Sequence, residues 1–329
     1  MSIGLPSSSP SLLRTLLEDP LKALLIKLHD CISRATTAFW YDRGASQPLL
    51  PITTRASSSP MGLGSDSLPV PVTIGGQPIY LADSMQFYLE LAVRMANGPT
   101  YYVMPSFRGE PADSTHLPQF FHSEAEFDGD LAMAIETVEA YLAALTEAIL
   151  ADLAPAIQRR VGTVDHLTKF LTSLPFTRLT FDEAARLVAP YIHQQSGWRS
   201  LDRAGEQALL RLFRRPLWLT HFDELSVPFY QALSPDHPGR SANADLIFGL
   251  GEVVGAGQRH VTGTQVTSAL ARHHLAPQPY DWYVEMKTLA PRQTAGFGMG
   301  IERYLAWVLQ VDDIRCLQLI PRDQAVNDV

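Results

Sequence analysis

The segment GFGMGIERYLAW, residues 296–307, places glycines at alternate positions and follows them with an acid, an arginine and an apolar run. This spacing matches the phosphate-cradling loop of dinucleotide-binding folds, which also need an acid about 20 residues further on, after a second strand. Only about 30 residues follow Gly300, too few for the rest of such a domain. We read the segment as a strand, a glycine turn and a helix. It is either a packing turn, in which glycines let a helix approach a sheet, or part of another nucleotide site.

The composition is that of a globular chain without a strongly basic surface. Of 329 residues, 46% are hydrophobic and 18% are charged, which allows a sizeable core. The formal net charge is −8, and the basic pairs Arg159-Arg160 and Arg214-Arg215 are isolated. Because proteins held on nucleic acid by their own surface usually show a basic patch, this charge balance argues against such a partner.

Targeting and redox features are sparse. Cys31 and Cys316 are the two cysteines and neither belongs to a CxxC pair, which argues against a disulfide scaffold and a zinc site. The first 20 residues do not match a signal peptide. With no run of about 18 apolar residues, no membrane span is predicted. We expect a reducing, cytoplasmic setting.

Apolar periodicity predicts an α+β fold. Helical spacing indicates helices over residues 20–42, 129–154 and 264–274, and Thr180 with Glu183 matches a capping box. Strands are predicted over residues 70–74, 78–82, 101–105, 216–222, 227–233, 244–250 and 315–321. Because hairpins and irregular loops join most strands while helices are grouped together, we expect an antiparallel sheet.

Four further segments, taken in order with residues 296–307, resemble one family. They are FWYDRGASQPLLPITT (39–54), YLADSMQFYLE (80–90), PSFRGEPADSTHLPQFFHSEAEF (105–127) and ADLIFGLGEVVGAGQRH (244–260). Together they resemble the motifs of class II aminoacyl-tRNA synthetases of the asparaginyl/aspartyl branch and of related stand-alone asparagine synthetases. The resemblance covers residues 20–329. It implies a catalytic domain with an antiparallel β-sheet flanked by helices, which follows a flexible tail over residues 1–19.

The resemblance also implies a site for ATP. Arg108 and Arg303 would be catalytic: Arg108 would hold the α-phosphate and the attacking carboxylate, and Arg303 would stack on adenine opposite Phe120. Glu110 would accept from the adenine amino group, and His116 would approach the outer phosphates. The remaining ATP contacts would come from Glu252 and from the glycines that leave room for the nucleotide, which are Gly296, Gly298 and Gly300.

Further residues would hold Mg²⁺ and the amino acid. Asp245 and Glu252 would bind Mg²⁺, a cation that prefers oxygen ligands. Arg259 would clamp a substrate carboxylate. The amino group and backbone of the substrate would be bound by Ser84, Gln86 and Glu124.

Several positions depart from the family pattern. Thr115 stands where the synthetases carry an arginine, and Gln119 replaces an acid before Phe120. Leu89 stands where aspartyl enzymes have a lysine, and Thr294 stands where a histidine is usual. These differences keep ATP binding plausible and leave the identity of the amino acid open.

The resemblance begins too early in the chain for an N-terminal anticodon-binding OB-fold, so we do not expect tRNA as a partner. Without tRNA, ammonia is the simplest acceptor. The leading hypothesis is an ATP-dependent amide ligase resembling asparagine synthetase. It would activate aspartate, or a related amino acid, as an acyl-adenylate, transfer the acyl group to ammonia, and release AMP and pyrophosphate. The helix over residues 20–43 and the strand at Pro51 correspond to the family's dimer interface, so we expect a homodimer.

Two alternatives remain open from the sequence. A synthetase paralogue could pass the activated amino acid to a carrier protein or a small amine, which the altered positions Met85, Leu89 and Thr294 allow. A catalytically silent protein could bind an amino acid or nucleotide as a regulator. The joint presence of Arg108, Asp245, Glu252 and Arg303 argues against the silent protein.

Overall fold

A computed structural model describes residues 12–58, 63 and 67–322. The helices are α1 (Leu12–Glu18), α2 (Pro20–Tyr41), α3 (Gln86–Ala96), α4 (Leu131–Val161), α5 (Asp165–Thr172), α6 (Phe181–Leu187), α7 (Arg203–Phe213), α8 (Gly263–Arg272), α9 (Asp281–Leu289) and α10 (Ile301–Leu309). The strands are β1 (Thr53–Thr54), β2 (Val70–Ile74), β3 (Gln77–Leu81), β4 (Thr100–Phe107), β5 (Gln119–Asp128), β6 (Thr177–Thr180), β7 (Ile192–Gln194), β8 (Arg199–Leu201), β9 (Leu217–Thr220), β10 (Asn243–Phe248), β11 (Gly251–Gln258) and β12 (Thr294–Gly300).

A seven-stranded sheet with the order β4-β5-β12-β11-β10-β9-β6 forms the centre of the fold. All neighbouring pairs are antiparallel except β6 and β9, which run parallel at the edge. Parallel strands need a long crossover connection, and here α6, β7, β8 and α7 lie between the two strands. The predicted α+β class with an antiparallel sheet flanked by helices is confirmed, and the parallel pair β6 and β9 is an addition at the edge.

Helix α4 is the core helix on one face of the sheet. Its residues Val138, Leu142, Leu145 and Ile149 are fully buried, and the helix packs against α2, β11 and β12. Among the described residues it is the one helix that could cross a membrane by length and hydropathy. One face of this helix is buried in the core of the fold. The helix also continues beyond the predicted end, through Pro155, and ends at Gly162 in the left-handed conformation.

The glycine-rich segment is a strand rather than a turn. In β12, Ala295, Phe297 and Met299 point into the α4 side of the core and are buried. Because side chains alternate along a strand, Gly296, Gly298 and Gly300 share the opposite face. An added Cβ at Gly296 would overlap the carbonyl oxygen of Ala125 and the carboxyl group of Glu126 on β5. Gly296 therefore makes room for the neighbouring strand.

The N-terminal region differs from the predicted tail over residues 1–19. Residues 1–11 lie outside the described part of the chain, while Leu12–Glu18 forms α1. Asp19 then caps α2 by accepting a hydrogen bond from the Leu21 backbone N–H at 2.8 Å. Tyr41, the last residue of α2, is 79% exposed, and Leu49, after the helix, is 98% exposed. The homodimer through this region stays a prediction.

We expect Gly296→Ala to lower the free energy of unfolding by about 1–3 kcal/mol, the usual cost of overpacking, because backbone and a buried carboxyl group surround the new methyl group. The control is Gly300→Ala, where the nearest atom is 3.7 Å from an added Cβ, and it should stay within about 0.5 kcal/mol. Urea unfolding measures both. Equal stability of the two variants would contradict the packing described for β12.

Candidate active site

A cavity of about 220 Å³ opens on the glycine face of the sheet. It brings together the residues that the sequence predicts for ATP, with the exception of Glu110 and Gly296. These are Arg108, His116, Phe120, Glu252, Gly298, Gly300 and Arg303. They come from β5, β11, β12, α10 and the 108–118 loop, so the tertiary structure makes these segments neighbours.

Arg108 is ready to bind an anion. Its guanidinium carbon lies 5.4 Å from the centre of the Phe120 ring, within cation–π range. The backbone N–H of Arg108 donates to Pro118 O at 2.9 Å and closes the 108–118 loop. Its buried Nε has no hydrogen-bond partner among the described residues. A phosphate oxygen would satisfy this donor, which otherwise carries a desolvation cost of about 1–3 kcal/mol.

Arg303 joins two walls of the cavity. It begins on the first turn of α10, and its Nη1 donates to the backbone oxygen of Glu252 at 2.8 Å, while Nη2 lies 3.4 Å from Thr115 O. Arg203, which lies outside the cavity, donates from Nη1 to the hydroxyl of Thr115 at 3.3 Å. Arg203, on α7, therefore places a cation beside the position where the family pattern has an arginine. The sequence analysis did not identify Arg203.

His116 sits on the cavity wall in a turn organised by Asp113. The Asp113 carboxylate accepts from the backbone N–H groups of Thr115 and His116 at 2.6 and 2.8 Å, and contacts His116 Nδ1 at 3.0 Å. Partial burial alone would raise the pKa of Asp113, but the hydrogen bonds from His116 and Thr115 hold it well below its ordinary value. An ionised Asp113 keeps the imidazole of His116 directed along the loop.

Glu110 does not line the cavity, contrary to the role predicted for it. Its carboxylate accepts from the backbone N–H of Leu68 at 2.9 Å and from the hydroxyl of Ser67 at 3.5 Å. The partners that hold it lie more than 40 residues earlier in the chain, where sequence spacing could not show them. In this structure Glu110 anchors the 67–68 segment to the loop.

The carboxylates of Asp245 and Glu252 converge at Gly255. An added Cβ at Gly255 would lie 3.2 Å from Glu252 Oε1 and 3.7 Å from Asp245 Oδ1, so the glycine leaves space between them. Burial raises the pKa of Asp245 well above its ordinary value, and the neighbouring Glu252 and Glu206 raise it further. A cation would relieve this repulsion.

The donor set fits magnesium. No group of three or more possible ligands occurs within the described ranges, but Mg²⁺ commonly uses one or two carboxylates together with substrate phosphates. Glu206 lies behind the pair: its carboxylate accepts from the Glu252 backbone N–H at 3.2 Å. Burial, followed by the Glu252 charge, raises the Glu206 pKa to about 7. Asp245 and Glu252 would hold the ion, and Glu206 positions the strand that carries Glu252.

Two of the three residues predicted for the amino group of the substrate contact each other. Ser84 Oγ donates to Glu124 Oε2 at 2.7 Å, and the hydroxyl of Tyr102 donates to the same oxygen. His122 Nδ1 lies 3.2 Å from Glu124 Oε1. This carboxylate, held by three groups, is suited to an ammonium partner. The third predicted residue, Gln86, is buried, and its Nε2 lacks a partner within the described part of the chain.

Arg259 is already paired, which changes the role predicted for it. Its Nε and Nη2 donate to Glu126 Oε1 at 2.9 and 2.5 Å, and its Nη1 donates to Gln231 Oε1 at 2.9 Å. Burial raises the pKa of Glu126, and Arg259 opposes that change. Because Glu126 neutralises most of its charge, Arg259 is not a free clamp for a carboxylate.

Glu126 was missed from the sequence, although it stands two residues after Glu124 on β5 and therefore on the same face. That spacing was the available signal. Its Oε2 is buried and has no hydrogen-bond partner among the described residues. A second missed acid, Glu302, lines the cavity and accepts from the Phe121 backbone N–H at 3.1 Å. Burial raises its pKa to about 7, against that hydrogen bond.

A buried ion pair supports Arg259 from behind. Lys287 on α9 and Glu90 on α3 form a salt bridge with no exposed surface on either side chain. Lys287 Nζ also donates to the backbone oxygen of His260 at 2.7 Å. Glu90 further accepts from Tyr283 and from Thr294. This network fixes the segment after β11 on which Arg259 stands.

Comparison with known proteins identifies the family. The family described as tRNA synthetases class II (D, K and N) matches residues 15–324. The chain is 26% identical over 311 residues to the asparagine–tRNA ligase of Thermoplasma acidophilum, covering 92% of this chain and 69% of that protein. It is 29% identical over 259 residues to the asparagine–tRNA ligase of Pyrococcus furiosus, covering 75% and 57%.

The fold is shared with solved structures. The asparaginyl-tRNA synthetase of Pyrococcus horikoshii, complexed with asparaginyl-adenylate, superposes with a TM-score of 0.86 at 24% identity, covering 96% of this chain and 73% of that one. The chain belongs to the family of class II tRNA synthetases described as D, K and N. It spans little more than half the length of several curated relatives.

The comparisons correct the partners expected from the sequence. The relatives are named as ligases that join asparagine to tRNA. The expectation that tRNA is not a partner and that ammonia is the acceptor was wrong. The likeness to stand-alone asparagine synthetases is not supported either. The expectation relied on where the resemblance begins in the given sequence, which says nothing about the acceptor that these residues serve.

We expect Lys287→Met to destabilise the protein by about 3–5 kcal/mol, because it leaves the Glu90 carboxylate buried without its partner. The double variant Glu90→Gln/Lys287→Met should recover part of that loss, since the buried carboxylate is removed with its ammonium partner, and Arg94, 3.8 Å from Glu90, keeps its backbone acceptors. The exposed Lys169→Met serves as the control and should stay within about 0.5 kcal/mol. Urea unfolding measures the stability of each variant. If Lys287→Met were as stable as Lys169→Met, the buried pair of Lys287 and Glu90 would not contribute the predicted stability.

Proposed function

We propose that this chain, as a member of the class II aminoacyl-tRNA synthetase family, activates asparagine with ATP and transfers it to tRNA. The observation that carries the amino-acid assignment is the Glu126–Arg259 pair at 2.5 Å. Family membership supports the activation chemistry, and the asparagine–tRNA ligases among the relatives support the choice of tRNA as acceptor.

Charge favours asparagine over aspartate. Aspartate would bring a second carboxylate to a guanidinium that Glu126 already neutralises, and the repulsion from Glu126 would oppose it. The amide of asparagine is neutral, and its NH₂ group can donate to the unpartnered Glu126 Oε2 while its oxygen accepts from Arg259. A site that hydrogen-bonds a polar group rejects an analogue that leaves buried groups unpaired.

The adenylation step follows from the arrangement of the other residues. Glu124, held by Ser84 and Tyr102, would bind the ammonium group and direct the substrate carboxylate towards the cavity. A carboxylate oxygen attacks the α-phosphorus of ATP, the bond to the bridging oxygen of the β-phosphate breaks, and pyrophosphate leaves. Arg108 would offer its free Nε–H to the α-phosphate oxygen, where charge develops.

The nucleotide would lie between Phe120 and Arg303, on the cavity floor made by Gly298 and Gly300. Mg²⁺ bound at Asp245 and Glu252 would supply charge neutralisation for the phosphates. Most of the catalytic effect comes from positioning two reactants, which can contribute about 7–11 kcal/mol to lowering the barrier. The buried ion pairs behind the site keep these positions fixed.

Amino-acid-dependent exchange of labelled pyrophosphate into ATP tests the proposal. We expect exchange with asparagine, and kcat/KM for aspartate lower by at least about 100-fold. Arg108→Lys should lower the asparagine rate by about 10²–10³-fold through loss of its planar donor. The control Arg159→Lys, on the exposed end of α4, should be unchanged. A preference for aspartate would contradict the role given to Glu126.

The acceptor is tested separately by incubating the active protein with labelled asparagine, ATP and unfractionated tRNA. Acid-precipitable label that is released by alkali shows an ester to tRNA. Exchange with asparagine but no label on tRNA would contradict the transfer step while leaving activation intact.

A further inference from the structure

A second cavity, of about 370 Å³, lies at the tip of the β10–β11 hairpin, between the C-terminal ends of α5 and α7. Four cationic side chains line it: Lys169 from the last turn of α5, Arg211 from the last turn of α7, Arg214 at the cap of α7, and Arg215 before β9. All four are exposed. A protein with a formal net charge of −8 thus concentrates positive charge at one place.

These cations are not neutralised by neighbouring acids. None of the four forms a salt bridge with a carboxylate in the part of the chain that the structure covers. The two helix ends attract cations, but each carries only about half a negative charge. Four full positive charges against two half charges leave roughly +3. Helix capping therefore explains only part of the cluster.

The floor of this cavity is aromatic and rigid. Phe170, Phe248 and Trp307 are 2%, 2% and 8% exposed, and their ring centres lie 4.6–5.2 Å apart. Rings this deeply buried offer little face for stacking a base. The ligand contacts available are the guanidinium and ammonium groups above the floor, which suit phosphate oxygens rather than bases.

A stripe on α7 connects this cavity with the nucleotide cavity. Arg203, Gln207 and Arg211 follow a spacing of four residues, which places them on one face of the helix, and Arg214 at its C-cap lines the same cavity as Arg211. At one end Arg203 contacts Thr115 of the nucleotide cavity at 3.3 Å. At the other end Arg211 and Arg214 line the second cavity. The stripe extends over roughly 16 Å at 1.5 Å per residue.

We propose that the α7 stripe, defined as Arg203, Gln207, Arg211 and Arg214 together with Lys169 and Arg215, binds the phosphodiester backbone of the RNA strand that leads into the active site. This rests on the proposed function, in which RNA is the acceptor. Because contacts to phosphate carry no base information, the stripe supplies affinity and direction, and it does not read sequence.

The test uses the full chain and a fluorescently labelled, unfractionated tRNA, with anisotropy measured over a range of salt concentrations. Arg211→Ala/Arg214→Ala should weaken binding by about 10-fold or more at low salt. The slope of log K against log salt should fall by about 1.4–1.8, since each lost phosphate contact contributes 0.7–0.9. The matched control is Arg159→Ala/Arg160→Ala, two exposed arginines in the last turn of α4, which should keep wild-type affinity and slope.

Lys169→Ala, from a different helix, provides a second variant in case the double variant is unstable; it should lose affinity and about 0.7–0.9 of slope. Asparagine-dependent pyrophosphate exchange should be unchanged in every variant, because none of the replaced residues lines the nucleotide cavity. Equal losses in the α7 and α4 double variants, or no loss in the α7 variant, would overturn the proposal. Absence of exchange in the wild type would instead overturn the proposed activation of asparagine. The comparison of tRNA affinities would still test whether the α7 stripe binds RNA.

Discussion

The close approach of β12 to β5 is the constraint on which the site depends. Two carboxylates on β5, Glu124 and Glu126, face the side of β12 that carries glycines, at register positions opposite Gly298 and Gly296. A side chain at Gly296 would occupy the volume of the Glu126 carboxyl group. The strand can therefore pack its other face into the core and still leave space for two acids within the sheet. Gly296 and Gly298 leave room for the two carboxylates, and Gly298 and Gly300 also line the nucleotide cavity.

Once two carboxylates are buried, the surrounding residues must supply their partners. Glu126 takes Arg259, and Glu124 takes Ser84, Tyr102 and His122. Leaving either acid unpaired would cost several kcal/mol by the usual magnitude for buried charges. The same requirement extends to Lys287 and Glu90 behind Arg259. The result is a preorganised site in which both carboxylates are held before a substrate arrives. Three buried atoms of predicted or proposed site residues lack partners in the described part of the chain: Arg108 Nε and Glu126 Oε2, for which a substrate atom is proposed, and Gln86 Nε2.

Sequence patterns predicted the features that are local. The capping box at Thr180 and Glu183 forms both of its hydrogen bonds, and α2 has nearly the predicted bounds. The motifs, taken in their order along the chain, correctly predicted most of the named residues that line the nucleotide cavity. Sequence patterns gave the wrong structure or role where a residue distant in sequence determines it. Residues 227–233 and 315–321 contain apolar runs but form no strand of the sheet; the second contains a 3₁₀ turn at Ile314–Leu317. Glu110 binds the backbone of the 67–68 segment instead of lining the cavity. The pairing of Arg259 with Glu126 depends on the register of β5, β11 and β12, which the sequence alone does not give.

The central claim is that a paired Glu126–Arg259 unit recognises an amide beside a nucleotide cavity formed by Arg108, Phe120 and Arg303. A crystal structure with a non-hydrolysable analogue of asparaginyl-adenylate tests it most directly. The account predicts the adenine between Phe120 and Arg303, the phosphate mimic at Arg108 Nε, and the side-chain amide with its NH₂ group on Glu126 and its oxygen on Arg259. An analogue bound with its side chain away from this pair, or with Arg259 separated from Glu126, would contradict the account.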